Sequence, residues 1–300
     1  MIGVPSSAGS YAAGQDQAPA ALRSAGLIDA LRKAGLEVHD EGDLPIQVWS
    51  PDRANLRAQN VGQVTECVGA LITRLVPLFS GGDTLLVLGG NCTVALGVVA
   101  ALRYVAAERI GLLYIDRHYD LNTPASTTDG ALDWMGMAHA LDLPGSLDVL
   151  TDVLGPRPLL EPDQIAWLGV EDRPATDWER QEARRLGLHV TSSDDLSLDP
   201  TGSCVESLGH LPSGPLAVHI DVDVLDFIDA PLAENTDGRN TGPTLDQIAM
   251  ALEVAVRDER FRALSIGELN PTRSAGDPGA IRRFVAAVST VMGNAAGSSG

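Results

Sequence analysis

The sequence is short of basic residues, cysteines and long apolar runs. Lys and Arg total 21 against 40 Asp and Glu, which gives a formal net charge of −19. This excess of negative charge opposes binding to a phosphate backbone or to an anionic membrane surface. We therefore expect no nucleic acid and no membrane among the partners of this protein.

The cysteines and the N-terminal segment indicate the cellular compartment of the protein. Cys67, Cys92 and Cys204 are odd in number and widely spaced, unlike the cysteines of a disulfide framework. The first residues lack the basic start and the apolar run of a signal peptide, and no stretch approaches ~18 uninterrupted apolar residues. These features predict a cytoplasmic protein in a reducing compartment.

Short apolar runs rich in β-branched residues recur between amphipathic stretches. Continuous apolar runs are typical of strands covered on both faces, and their alternation with helices favours a parallel sheet. The fold class predicted is α/β, a three-layer α/β/α sandwich with a parallel sheet of about eight strands. The predicted strands are Ile2–Pro5, Glu37–His39, Thr84–Leu88, Ile110–Ile115, Ile165–Val170, Leu188–Thr191, Leu216–Ile220 and Ala263–Ile266.

Three helices are predicted from their pattern and their ends. An apolar stripe at helical spacing runs from Val61 to Leu75, and two further helices are predicted at Pro19–Ala34 and Leu245–Val256. The chain has no internal repeat and no low-complexity linker, so one domain over residues 1–294 is expected. Residues 295–300 are expected to form a flexible tail.

Acidic side chains and one histidine follow two of the predicted strands. Asp116, His118 and Asp120 alternate with other residues, as do Asp221 and Asp223. On extended backbone each set projects to one side, and ligand sites of parallel sheets lie beyond the carboxyl ends of the strands. Four clustered carboxylates repel one another unless a cation neutralises them, and two divalent ions satisfy this set. The alternative is that these are common turn or N-cap residues.

The order of four motifs resembles the ureohydrolase family, which includes arginases, agmatinases and formimidoylglutamases. The motifs are Gly89-Gly-Asn-Cys92, Asp116-Arg-His-Tyr-Asp120, Asp221-Val-Asp223 with Asp226, and Glu268-Leu-Asn-Pro271. The resemblance implies an arginase-like α/β/α domain, two divalent metal ions, most often Mn²⁺, and assembly into homo-oligomeric trimers or hexamers. It also implies hydrolysis of a small guanidino substrate to urea and an amine.

The resemblance assigns the metal ligands residue by residue. Asp116 and Asp221 would bridge both ions. Cys92 and Asp120 would complete one site, whereas His118 and Asp223 would complete the other.

Other positions are assigned to catalysis and to the substrate. Asp223 would also orient the nucleophilic water and accept its proton, and Glu268 would pair with the guanidinium nitrogens of the substrate. Asn122 and Thr127 match a segment that contacts the distal end of the substrate, and Asp172 matches a segment that contacts an amino group.

Several positions depart from the family pattern and leave alternatives open. Cys92 stands where the family has a histidine ligand, which favours Zn²⁺ or Fe²⁺, or else weakens the first ion or leads to its loss. Arg117 replaces a small residue, and Leu132–Met137 lacks the histidine that arginases use as a proton shuttle. The alternatives are a hydrolase of N-hydroxyarginine that releases hydroxyurea, and an inactive family member that serves as a binding or scaffold protein.

Overall fold

The computed structural model describes residues 1–235 and 240–296. Seven strands form one sheet in the order β1-β2-β7-β6-β3-β4-β5, and every neighbouring pair is parallel. The α/β fold class with a parallel sheet is confirmed. The strands are Ile2–Gly3 (β1), Leu85–Leu88 (β2), Gly111–Ile115 (β3), Ile165–Val170 (β4), His189–Ser192 (β5), Leu216–Asp221 (β6) and Phe261–Gly267 (β7).

The strand predicted at Glu37–His39 does not form. This segment is largely exposed, so it has no second face to bury against the sheet. The chain returns beside β1 only as isolated bridges, which join Gly3 to Asp43 and Ser6 to Gln47. The sheet therefore has seven strands among the described residues.

Side chains of each strand alternate between two apolar layers. Leu85 and Val87 pack in one core, whereas Leu86 and Leu88 pack in the other. The first layer contains α3 to α7, and the second contains α1, α2 and α8 to α11. The helices are Ala18–Ser24 (α1), Leu27–Lys33 (α2), Val61–Ser80 (α3), Val94–Val105 (α4), Gly136–Ala140 (α5), Asp148–Leu154 (α6), Asp177–Leu186 (α7), Ser193–Leu198 (α8), Pro200–His210 (α9), Leu245–Val256 (α10) and Ala280–Ala296 (α11).

Two predicted helices form as expected and one is interrupted. The stripe from Val61 becomes α3, and α10 begins and ends at the predicted residues Leu245 and Val256. The predicted helix Pro19–Ala34 divides into α1 and α2 because Gly26, at a φ of 92°, breaks the helical backbone. Of the predicted tail, residues 295 and 296 belong to α11, and residues 297–300 lie outside the described residues.

By length and composition, α3 is the one helix of the described residues that is long and apolar enough to cross a membrane. Its apolar stripe, which includes Val64, Val68, Leu71 and Leu75, is buried in the first core layer. Helix α3 packs against α4, where the side chain of Leu71 lies close to Gly97.

The central strands β2, β7, β6 and β3 are adjacent and parallel, so their carboxyl ends meet at one edge of the sheet. Gly90 lies at this edge, where its carbonyl oxygen accepts a hydrogen bond from the amide of Glu268 at 2.7 Å. A Cβ atom at Gly90 would collide with the backbone of Ser6. Glycine at this position lets three chain segments approach closely.

We expect Gly90→Ala to lower the free energy of unfolding by about 2 kcal/mol or more, because the backbone of Ser6 cannot yield as a flexible side chain would. Urea denaturation measures the change. Gly209→Ala is the control: this exposed residue lies within α9, and its Cβ would have no neighbour within 4 Å, so stability should stay within about 1 kcal/mol of the native protein. Equal stabilities of the two variants would contradict this account.

Candidate metal centre and substrate site

The predicted metal-ligating residues gather where the four central strands end. Asp116 follows β3, Asp221 is the last residue of β6, and Cys92 lies shortly after β2. Glu268 directly follows β7. Since the strands are parallel neighbours, four distant stretches of sequence meet at one place.

The first group of possible ligands contains Asp116, His118, Asp221 and Asp223. One ligand atom from each lies within 4.8 Å of the others. His118 Nδ1 lies 3.3 Å from Asp116 Oδ1 and 3.2 Å from Asp223 Oδ2. Asp221 Oδ1 accepts a hydrogen bond from the amide of Asp223 at 2.7 Å. These contacts fix a compact, largely buried set of oxygen and imidazole donors.

The second group contains Cys92, Asp116 and Asp120, whose ligand atoms also lie within 4.8 Å of one another. Asp116 therefore belongs to both groups. The Cys92 thiol donates to Asp221 Oδ2 at 3.2 Å, so Asp221 contacts both groups as well. The hydroxyl of Tyr114 donates to Asp120 and orients its carboxylate.

Burial and mutual repulsion raise the pKa of the clustered acids. Burial raises the pKa of Asp116, Asp120 and Asp221, and neighbouring carboxylates raise each one further. Burial and the same carboxylates raise the pKa of the Cys92 thiol well above its usual value. Burial alone would lower the pKa of His118, but the carboxylates of Asp223 and Asp116 raise it to about 9. The site therefore favours bound cations, which can be protons or metal ions.

Unpaired buried oxygens show that the residues fit metal ions. Asp116 Oδ2 and Asp223 Oδ1 are buried and accept no hydrogen bond from the described residues. Buried carboxylate oxygens without partners are costly unless a cation occupies the space beside them. The oxygen-rich sets, one with an imidazole and one with a thiolate, are suited to two divalent ions.

Glu268 lies beside the second group with both carboxylate oxygens oriented. Oε1 accepts from the amide of Cys92 at 2.9 Å, and Oε2 accepts from the side chain of Gln15 at 2.9 Å. Burial raises the pKa of Glu268 well above its usual value, and the charge of Asp133 raises it further. A planar cation such as guanidinium would offset that cost and meet both oxygens.

The residues predicted to contact the distal end of the substrate differ from the predicted metal ligands in their burial and their hydrogen bonds. Asn122 is buried, and its Oδ1 accepts from Ser126 and Thr176, while its Nδ2 has no partner among the described residues. Thr127 is half-buried, and its hydroxyl accepts from the amide of Asp129. Asp172 is exposed. Neither Thr127 nor Asp172 belongs to the two ligand groups, and their role in substrate binding stays a prediction.

Three side chains that shape the site were not predicted from the sequence. Tyr114 orients Asp120, and Gln15 orients Glu268. Burial raises the pKa of Asp133 to about 7, and its charge acts on Glu268. A single acid in the otherwise apolar run Ala131–Met137 was the available signal for Asp133. Nothing local in the sequence marks Gln15, which lies far along the chain from its partner.

His219 packs beneath the second group. Its Nε2 lies 3.2 Å from Cys92 Sγ, its Nδ1 lies 2.8 Å from the Ser265 hydroxyl, and its ring stacks on Tyr114 with centroids 5.0 Å apart. Burial lowers the pKa of His219 to about 3. The neutral ring therefore supports Cys92 from inside the sheet.

Comparison with known proteins identifies the family to which this site belongs. The profile of the arginase family matches residues 1–293. The chain belongs to the arginase family. The predicted resemblance to ureohydrolases is thus confirmed, and arginase-family membership supports a hydrolase that acts on guanidino compounds.

Individual arginases agree over most of the chain. The arginase of Bacillus caldovelox is 28% identical over 282 residues, which cover 90% of each protein, and Arginase-1 of Homo sapiens is 29% identical over 75% of this chain and 71% of its own length. The solved Bacillus caldovelox arginase has a TM-score of 0.84 at 25% identity, covering 98% of this chain and 96% of that one. Proclavaminate amidino hydrolase from Streptomyces clavuligerus shares the fold, with a TM-score of 0.74 at 19% identity over 100% of this chain and 91% of its own.

We expect Asp133→Asn to change how the stability of the metal-free protein depends on pH. The folded pKa of about 7 lies above the usual value of 3.8, so the folded state retains a proton that the unfolded chain releases. This residue therefore makes stability fall as pH rises from about 4 to 7, by at most about 1.4 kcal/mol per pH unit. The stability of Asp133→Asn relative to the native protein should rise through that window and level off above it.

Urea denaturation at several pH values, with a chelator present, measures this difference. Asp29→Asn, a change at an exposed position on α2, is the matched control and should leave the pH profile unchanged. Parallel profiles for Asp133→Asn and the native protein would show that Asp133 is not a buried acid of raised pKa.

Proposed function

We propose that this protein hydrolyses the guanidinium carbon–nitrogen bond of a small guanidino compound, releasing urea or a urea derivative and an amine. The observation that carries the proposal is the pair of ligand groups that share Asp116, with Glu268 beside them. Hydrolysis at this site would use two divalent ions held by Cys92, Asp116, His118, Asp120, Asp221 and Asp223. Arginase-family membership supports this reading.

When bound, the two ions would supply a water of lowered pKa as the nucleophile. Asp223 provides a buried Oδ1 that accepts no hydrogen bond from the described residues and can orient this water and accept its proton. Glu268 positions the substrate, since the amide of Cys92 and the side chain of Gln15 hold its carboxylate in place while leaving lone pairs for guanidinium N–H groups. The charge of the bound guanidinium favours the ionised form of Glu268.

The thiol of Cys92 affects which metal ion the second group would bind. A thiolate is softer than imidazole, so it favours Zn²⁺ or Fe²⁺ over the Mn²⁺ that the family resemblance implies. Burial and the surrounding carboxylates raise the pKa of this thiol, so a bound cation is needed to hold it as thiolate. We propose two divalent ions, with Mn²⁺ as the first candidate because of the family resemblance, and with Zn²⁺ or Fe²⁺ as the alternative in the second group because of Cys92.

Cys92 also favours a second candidate function, hydrolysis of N-hydroxyarginine with release of hydroxyurea. The sequence near Asn122 and the cysteine at a histidine position are similar to that branch of the family. A panel that contains N-hydroxyarginine, arginine, agmatine and guanidino acids distinguishes these substrates by the product released. An inactive scaffold would release neither urea nor hydroxyurea from any of them.

We expect Asp221→Asn to reduce urea release by about a thousandfold or more, because it removes a carboxylate that belongs to the first group and contacts Cys92 of the second. Glu268→Gln should lower kcat/KM by about a hundredfold while metal content stays unchanged, since it loses the charged contact with guanidinium. Asp29→Asn is the control and should behave as the native protein. Full activity of Asp221→Asn would overturn the bridging role.

A further inference from the structure

A buried acid and a half-exposed arginine form a fixed pair at the rim of the site. The side chain of Glu234 is 2% exposed, whereas that of Arg273 is 41% exposed. Arg273 Nη2 lies 2.7 Å from Glu234 Oε1, and Nε lies 3.4 Å from Oε2. The Asn270 amide also donates to Glu234 Oε2. Glu234 thus lies behind Arg273 and holds its guanidinium in one orientation.

This pair is joined directly to the backbone of the substrate site. The amide of Glu234 donates to the carbonyl of Glu268 at 3.1 Å. Asn270, which contacts Glu234, is two residues beyond Glu268 in the chain. The segment that contains Glu268 and Asn270 therefore contacts Glu234, which in turn positions the Arg273 guanidinium. The same segment carries the Glu268 carboxylate, which is proposed to hold the guanidinium of the substrate.

Tyr11 lies close enough to both Glu268 and Arg273 for their charges to affect its pKa. Burial raises the pKa of the Tyr11 phenol, the carboxylates of Glu234, Glu268 and Asp133 raise it further, and Arg273 lowers it. The charges of the acids in the site and the charge of Arg273 therefore both act on the Tyr11 phenol. Tyr11 is 47% exposed and the side chain of Arg273 is 41% exposed, so both reach solvent.

Part of the Arg273 guanidinium remains available for a ligand. The described residues offer no hydrogen-bond acceptor to Nη1, because the bonds of this side chain are made by Nε and Nη2. A guanidinium that is already oriented loses little conformational freedom when it binds a second carboxylate. An ammonium group at the same place would be repelled by Arg273.

We propose that Arg273 binds a carboxylate at the far end of the substrate, so that guanidino carboxylic acids are the preferred class over guanidino amines. This inference rests on the proposed function, in which Glu268 holds the guanidinium end. The two ends of such a substrate carry opposite charges, and the site presents an acid at one end and an arginine at the other. The length between the two charges then selects among guanidino acids.

Hydrolysis rates test the specificity. We would compare kcat/KM for 4-guanidinobutyrate, agmatine and n-butylguanidine, which differ chiefly in the group at the far end. The native protein should prefer 4-guanidinobutyrate. Arg273→Gln should lower that kcat/KM by about 10- to 100-fold, the range expected for hydrogen bonds to a charged group, and leave n-butylguanidine within about twofold.

Two further variants separate carboxylate binding from support of the fold. Arg273→Gln leaves the buried Glu234 carboxylate without its cationic partner, so the double variant with Glu234→Gln and Arg273→Gln restores a neutral pair. It should show the same selective loss as the single variant. Arg262→Gln is the control, because Arg262 lies near the start of β7, at the end of the strand opposite Glu268, and should change none of the rates.

A binding measurement keeps the test valid if hydrolysis fails. If the native protein shows no turnover, calorimetric titration of the metal-loaded protein with 4-guanidinobutyrate should give a weaker Kd for the double variant than for the native protein and the Arg262→Gln control. Absence of turnover in the native protein would contradict the proposed function, and the titration would still judge the carboxylate site. Equal Kd values, or equal losses for 4-guanidinobutyrate and n-butylguanidine, would overturn the role of Arg273.

Discussion

Mutual repulsion among buried acids is the constraint on which the rest of this structure depends. Asp116, Asp120, Asp221 and Glu268 are buried at one edge of the sheet, and burial together with neighbouring carboxylates raises the pKa of each. A fold that holds such acids together is less stable with empty than with occupied sites, because cations relieve the repulsion. Metal binding and folding stability should therefore be strongly linked in this protein.

The apolar layers on both faces of the sheet hold this cluster in place. Asp120 and Glu268 have positive φ angles of 55° and 64°, a conformation that L-residues with side chains seldom adopt. Such strain persists only where the surrounding structure determines the backbone. Hydrogen bonds from Tyr114 to Asp120 and from Gln15 to Glu268 complete that support. The fold thus holds Asp120 and Glu268 in backbone conformations that their local sequence does not favour, and this fixes the orientation of their carboxylates.

Patterns within short segments predicted most of the fold and that acidic side chains from separate strand ends lie together. Continuous apolar runs predicted the six strands β2 to β7, because strands buried on both faces carry apolar residues at successive positions. The alternation of polar residues predicted that Asp116 and His118 lie on one side, and their ligand atoms do lie close together. Gly26 was a local signal for the break in the predicted helix Pro19–Ala34, whereas the absence of a strand at Glu37–His39 depends on tertiary packing, which no local pattern records. The pair of Glu234 and Arg273 joins distant segments, so only the folded chain reveals it.

The most direct test of this account is the number of metal ions per subunit. Elemental analysis after dialysis would be made on protein purified with added Mn²⁺, Zn²⁺ or Fe²⁺, alongside Asp116→Asn, which removes the acid shared by both ligand groups. The account predicts two ions per subunit in the native protein with at least one of these metals, and fewer than one in the variant. No ion in the native protein under any of these conditions would contradict a binuclear centre and favour the scaffold reading.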